Sequence, residues 1–393
     1  MQTTIALVGI GGYGGHYLPE LLRAAPEKGI RLAAGIDPYA QQSPWFSELE
    51  QRRIPIFPDL ERFYQNESAD LVIISAPIQL HAPLTCLALS KGSQVLCEKP
   101  LAGSLQDAQA MLAAEKQHGR QIAVGYQWSF SRAIQSLKRD MLAGRFGQPL
   151  LWKTLVLWSR RRSYFQRNRW AGRIRAEDGT WVLDSPVHNA TAHYLHNMLF
   201  LQGSTLESSA FPSSLTGELY RANPIENYDA AALSITTAGG SELLFLTAHP
   251  VQEHTGPFIE YACEDAVIQY PGPNGDFLAR FNDGTVESYG DPNADDMNKL
   301  WQSVEALRTG CPVACGAWAA LPQLICAAAA QSLPIHDFPP GLVQTEVTGE
   351  DSLVYVTGLA DAWRASYEAG QLPGAVKAAP WAVTEERIYI EEW

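Results

Sequence analysis

In the first third of the chain, apolar residues come in short unbroken runs, separated by stretches of helical period. The runs at 4–8, 31–36, 54–57, 71–75, 94–97 and 121–125 lack the polar alternation of a half-exposed strand. Strands of this kind are buried on both faces, so the pattern predicts a parallel sheet with helices on either side. Ser104 is placed to cap a helix over 105–118 that Gly119 ends, and Asp59 opens a shorter one at 60–64.

The texture changes after Gly125. A helix is predicted over 129–142, stopped at Gly144, then a long strand over 150–158 and an irregular arginine-rich loop. A helix over 186–201 follows. Strand-like runs at 230–237, 242–248, 258–263 and 266–270 predict a mostly antiparallel second sheet. Helices over 297–309, 317–332 and 352–369 complete the expectation. The fold class is therefore α/β: a doubly wound parallel sheet in residues 1–126, then an α/β domain with a mostly antiparallel open sheet in 127–393. With 393 residues, 46% of them hydrophobic, each domain has the material for its own core.

Charge narrows the partners. A net charge of −13 argues against nucleic acid or an anionic membrane surface. No apolar run approaches the roughly 18 residues that a spanning helix needs. The apolar start runs straight into a glycine loop, so it reads as structure rather than as a signal peptide. Six cysteines without a Cys-x-x-Cys pair read as buried free thiols, which fits a reducing cytoplasm.

Three groups of residues carry chemistry. The first is Gly9-Ile10-Gly11-Gly12-Tyr13-Gly14, directly after a strand and opening a helix. Gly9 allows a tight turn, Gly11 lets backbone approach a pyrophosphate, and Gly14 lets helix and strand pack closely. Asp37 ends the next strand, where a carboxylate accepts hydrogen bonds from a ribose hydroxyl and repels a 2′-phosphate. NAD is thus expected over NADP. Ser75, Pro77 and His81 follow the fourth strand, at the carboxyl edge where such sheets bind ligands.

The second group is Glu98-Lys99-Pro100, at the end of the fifth strand. An ammonium there would hydrogen-bond a substrate hydroxyl and stabilise alkoxide charge. The third is Asp184-Ser185-Pro186-Val187-His188. Ser185 caps, Pro186 takes the first helical position, and His188 is the candidate general base, with Asp184 orienting it or touching substrate. On a helix His193 points well away from His188, and with His196 the three do not converge on one face with a carboxylate, so no metal site is expected.

With these three motifs in this order, the chain resembles the Gfo/Idh/MocA oxidoreductase family, through Asp70-Leu-Val-Ile-Ile-Ser-Ala-Pro77 and His81 and loosely through the second domain. The resemblance implies a Rossmann domain, a second domain whose open sheet forms homo-oligomer contacts, and NAD(P)-dependent oxidation or reduction of sugars and polyols. It maps the family's catalytic lysine onto Lys99 and its aspartate and histidine onto Asp184 and His188. Pro186 and Thr191 depart from the common pattern, and Asn189 is expected to take over a substrate contact. Cofactor contacts are assigned to Gly9, Gly11, Gly12, Tyr13, Gly14, Asp37, Ser75, Pro77, His81, Glu98 and Lys99.

Seven arginines crowd residues 160–175, which contain no acid, with Tyr164, Phe165 and Trp170 interleaved. Aromatic faces pack on sugar rings, and an arginine fork binds carboxylate or phosphate. Tyr164, Arg167 and Trp170 are therefore expected to touch a carbohydrate-like substrate. The competing reading is a surface loop paired with acids of a neighbouring subunit. Two further functions stay open: a glycosidase in which bound NAD cycles, and a nucleotide-sensing regulator.

Overall fold

A computed structural model describes residues 2–391. The chain divides into two compact units, 1–130 with 296–321, and 131–295 with 322–393. A single cut at 126/127 is therefore corrected: the segment 296–321 returns to the first unit. Its helix Asn298–Thr309 packs on the fifth strand, and Val124 donates its N–H to the Cys315 carbonyl.

The first unit holds β1 (Thr3–Val8), β2 (Ile30–Ile36), β3 (Ile56–Phe57), β4 (Leu71–Ile74), β5 (Gln94–Cys97) and β6 (Ile122–Val124). They pair in parallel in the order β3-β2-β1-β4-β5-β6. The order reverses at the β1–β4 boundary, which leaves a crevice at the carboxyl ends of those two strands. Both β4 and β5 are buried at every position, as unbroken apolar runs require. Ser104 accepts the Asp107 N–H to start Leu105–His118, and Asp59 accepts the Arg62 N–H to start Leu60–Asn66. The helix expected to open near Gly14 instead begins as a tight turn over Gly12–His16 and becomes α-helical at Tyr17.

The second unit contains β7 (Pro149–Trp158), β8 (Pro212–Arg221), β9 (Ala230–Thr237), β10 (Glu242–Ala248), β11 (His254–Cys263), β12 (Ala266–Tyr270), β13 (Phe277–Phe281), β14 (Val286–Gly290) and β15 (Ile335–Asp337). Their order is β14-β13-β12-β11-β7-β10-β9-β8-β15, antiparallel except for the β7–β10 and β8–β15 pairs. Along β7 the pleat sends Leu155 and Leu157 toward Trp363 of the helix Leu359–Ala369. Trp158, on the opposite face, meets Tyr194 of the helix Ala192–Leu201 edge-on.

Two expected helices are corrected. Residues 352–369 split into β17 (Asp351–Val356), paired with β16 (Val343–Thr348), and a helix that starts at Leu359. The run Ser352-Leu-Val-Tyr-Val is β-branched and aromatic, and Gly358, at φ +81°, breaks the helical period before it can extend back. Residues 186–201 form a five-residue wide turn, Pro186–Ala190, then a separate helix from Ala192. Thr191 directs its hydroxyl to the Pro186 carbonyl, which breaks the helical ladder.

Candidate active site

The glycine turn sits at the crevice between β1 and β4. A Cβ on Gly9 (φ +82°) would lie 2.2 Å from the Ser75 carbonyl oxygen, and one on Gly14 would lie 1.8 Å from that of Gly9. These two glycines are forced by backbone packing. Gly11 and Gly12 instead have nothing within 4 Å of an added Cβ, so the turn leaves open space above it. Tight packing below and vacancy above make the cradle into which a pyrophosphate fits.

Asp37 accepts hydrogen bonds from the Ile10 N–H (3.1 Å) and the Tyr39 N–H (2.8 Å). The carboxylate is thereby fixed beside the turn with acceptor capacity left over. A cavity of about 860 Å³ opens next to it, lined by Tyr39, Gln42, Arg53 and Phe57 among others, and is large enough for the adenosine half of a dinucleotide. The residues present thus fit an NAD-type cofactor.

Glu98 lies between its neighbours rather than toward this crevice. It is buried, ion-paired at 2.5 Å with Lys299, and accepts a short hydrogen bond from the Tyr17 hydroxyl. Lys299 is wholly buried, donates also to the Tyr13 hydroxyl (3.0 Å), and lies over the rings of Tyr13 and Tyr17. Burial pulls its pKa down, but Glu98 and Tyr13 outweigh this and leave it raised. Burial, with Glu98 next, pushes the Tyr17 phenol well up. The Glu98–Lys299 pair ties the glycine turn, through Tyr13, to the Lys99 turn. Lys299 escaped the sequence reading. Its signal is a lysine among the buried positions Leu300, Ser303 and Val304 of one helix.

Lys99 follows β5 half-buried, with a cis bond to Pro100. His81 is buried, and its ring nitrogens face the Pro100 carbonyl at 2.8 Å and the Ala76 carbonyl at 3.0 Å. Burial lowers its pKa. His81 therefore braces the Lys99 turn against the Ser75-Ala76-Pro77 loop.

In the second unit, Asp184 is buried at the start of the Ser185-capped turn. Its carboxylate accepts from the Gly172 N–H (2.7 Å), the Asn189 amide (2.7 Å) and Arg167 (3.4 Å). Asp184 thereby organises Asn189 and the arginine loop. His188 is buried, and its N–H caps onto the Ser185 hydroxyl, which in turn donates to Tyr228. Arg167 stacks over Tyr164 (3.8 Å) and reaches Trp170 (5.2 Å). Tyr164, Arg167, Trp170, Asp184 and Asn189 thus form one cluster. Burial, then Asp184, raises the Tyr164 pKa. Arg169 instead pairs outside it with Glu177 at 3.5 Å. His249, absent from the sequence reading, packs under Tyr164 and bonds the Trp158 carbonyl, and burial lowers its pKa to about 3.

Inositol 2-dehydrogenase of Rubrobacter xylanophilus is 27% identical over 243 residues, 61% of this chain and 62% of that protein, so the match spans less than two thirds of the relative. A 2,7-anhydro-N-acetylneuraminate hydratase of Mediterraneibacter gnavus is 31% identical over 146 residues, 37% of each chain. The fold resembles that of the WlbA dehydrogenase from Bordetella pertussis, solved with NADH and UDP-GlcNAcA, at a TM-score of 0.69 and 19% identity, over 85% of this chain and 99% of that one. Residues 3–126 match the model of an oxidoreductase family with an NAD-binding Rossmann fold. Over residues 3–126 the dinucleotide-binding unit thus matches the Gfo/Idh/MocA family of oxidoreductases.

Proposed function

We propose that this protein is an NAD-dependent oxidoreductase that moves hydride between nicotinamide and a hydroxyl or carbonyl carbon of a carbohydrate-like substrate. The observation that carries the reading is the glycine cradle, closed below by Gly9 and Gly14 and open above Gly11 and Gly12, with Asp37 pinned beside it. Bound nicotinamide supplies the hydride acceptor or donor.

The rest falls to side chains. Lys99 hydrogen-bonds the reacting oxygen and stabilises its developing negative charge. His188 takes the hydroxyl proton in oxidation and returns it in reduction. Asp184 holds Asn189 and Arg167 in place for the substrate. Asp37 favours NAD, because its fixed carboxylate repels a 2′-phosphate. Homo-oligomers form through the sheet of the second unit.

Inositol and nucleotide-sugar relatives support this substrate class. A relative named as a hydratase favours a second reading, in which the nicotinamide is reduced and reoxidised in one turnover. The test is nicotinamide absorbance with NAD⁺ and a panel of cyclic polyols, sugars and sugar acids, for wild type and Lys99→Met. Net NADH formation abolished by Lys99→Met, with NAD binding kept, is expected. Product release without net NADH selects the second reading, and near-normal turnover by Lys99→Met refutes the role of Lys99.

A further inference from the structure

Most arginines of the 160–175 loop already have partners. Arg167 is taken by Asp184, Arg169 by Glu177, and Arg161 lies 3.9 Å from Glu346. Arg175 donates to the Gly179 carbonyl and lies over Trp181. Arg162 and Arg173 are exposed around a separate hollow bordered by β16 and β17.

Arg160 differs. Half-buried, it has no carboxylate partner among the described residues; its guanidinium hydrogen-bonds the Tyr164 side chain, and its buried Nε–H finds no acceptor there. Its guanidinium lies 4.7 Å from the ring centre of Tyr164 and 5.4 Å from that of Trp158. The adjacent acids are committed elsewhere: Asp184 to its three donors, Glu253 to Arg364. The uncompensated charge registers on its neighbours, since after burial it is Arg160 that depresses both His249 and His254.

We propose that Arg160 is the receptor for a carboxylate on the substrate, so that the substrate is a sugar acid. The assignment rests on the reading of this loop as carbohydrate-binding. A guanidinium offers a planar fork of two N–H donors that matches the two oxygens of a carboxylate. The rings of Tyr164 and Trp158 hold that fork in place. With the neighbouring Arg167 already paired to Asp184, one available fork suits a monoanionic carboxylate better than a phosphate dianion.

The experiment titrates NAD⁺-loaded wild type, Arg160→Gln and Arg160→Lys with D-glucuronate, D-galacturonate, their neutral parent hexoses and glucose phosphate. Wild type should bind a uronate at least about tenfold more tightly than its parent, the range that a charge-assisted hydrogen bond provides. Arg160→Gln should erase that preference without changing affinity for the neutral sugar, and Arg160→Lys should restore part of it. Equal preference in wild type and Arg160→Gln overturns the proposal. Failure of wild type to prefer either uronate, or tighter binding of the phosphate, does the same. Because binding is read without turnover, Arg160-dependent uronate binding without NADH formation removes the dehydrogenase reading and leaves this one standing. NADH formation from neutral sugars alone does the reverse.

Discussion

Lys299 and Glu98 form the most consequential pair at the scale of single residues. Both are buried, and each is the main charge compensating the other. Removing one partner of such a pair strands the other charge, at about 3–5 kcal/mol. Lys299→Met should therefore lower the melting temperature markedly, and Lys299→Met with Glu98→Gln should recover part of the loss. A scanning calorimeter checks both, and equal melting temperatures for the single and double variants would contradict the account. Residue-level legibility was uneven for a physical reason. Gly9, Gly14 and Asp37 act through local backbone geometry, which spacing encodes. Lys299 meets Glu98 across 201 positions of sequence, and no local pattern records that encounter.

At the scale of elements, the glycine turn separates structural from functional glycines. Gly14→Ala drives a methyl to 1.8 Å from the Gly9 carbonyl oxygen and should destabilise by about 1–3 kcal/mol or more. Gly11→Ala meets open space, so the melting temperature should hold while NAD affinity falls by about tenfold, or about 1.4 kcal/mol. Thermal shift with and without NAD distinguishes the two. The strands of the first sheet were legible because burial on both faces writes itself as unbroken apolar runs. Strand β8 was not: Pro-Ser-Ser-Leu-Thr-Gly-Glu-Leu-Tyr-Arg is polar and glycine-containing, and its pairing with β9 decides its conformation. Strands β13 and β14 were likewise missed, being short and partly exposed.

At the scale of the whole molecule, two buried histidines set the acid limit of stability. Burial lowers the folded pKa of both His196 and His249 to about 3, from an ordinary 6.5. The unfolded chain then binds more protons between these values, so stability is complete above about pH 6.5 and declines as pH falls toward 3. The slope is about 1.4 kcal/mol per pH unit for each histidine. Asp229 opposes it weakly, because burial raises its carboxyl to about 6 and its protonation stabilises the fold below that pH. Denaturant melts from pH 7 to 4 should show a falling midpoint, and His196→Phe should flatten the decline; a midpoint that rises throughout would contradict the assignment. The division of labour between the units was legible in outline, while the return of residues 296–321 to the first unit was not, because contacts across the chain rather than composition define it. The most direct test of the central claim is rapid-mixing nicotinamide absorbance, with a substrate from the panel, for wild type, Lys99→Met and His188→Asn. The account predicts that both variants bind NAD⁺ as wild type does and transfer hydride on the order of 100-fold more slowly or worse. Hydride transfer at the wild-type rate in either variant would contradict it.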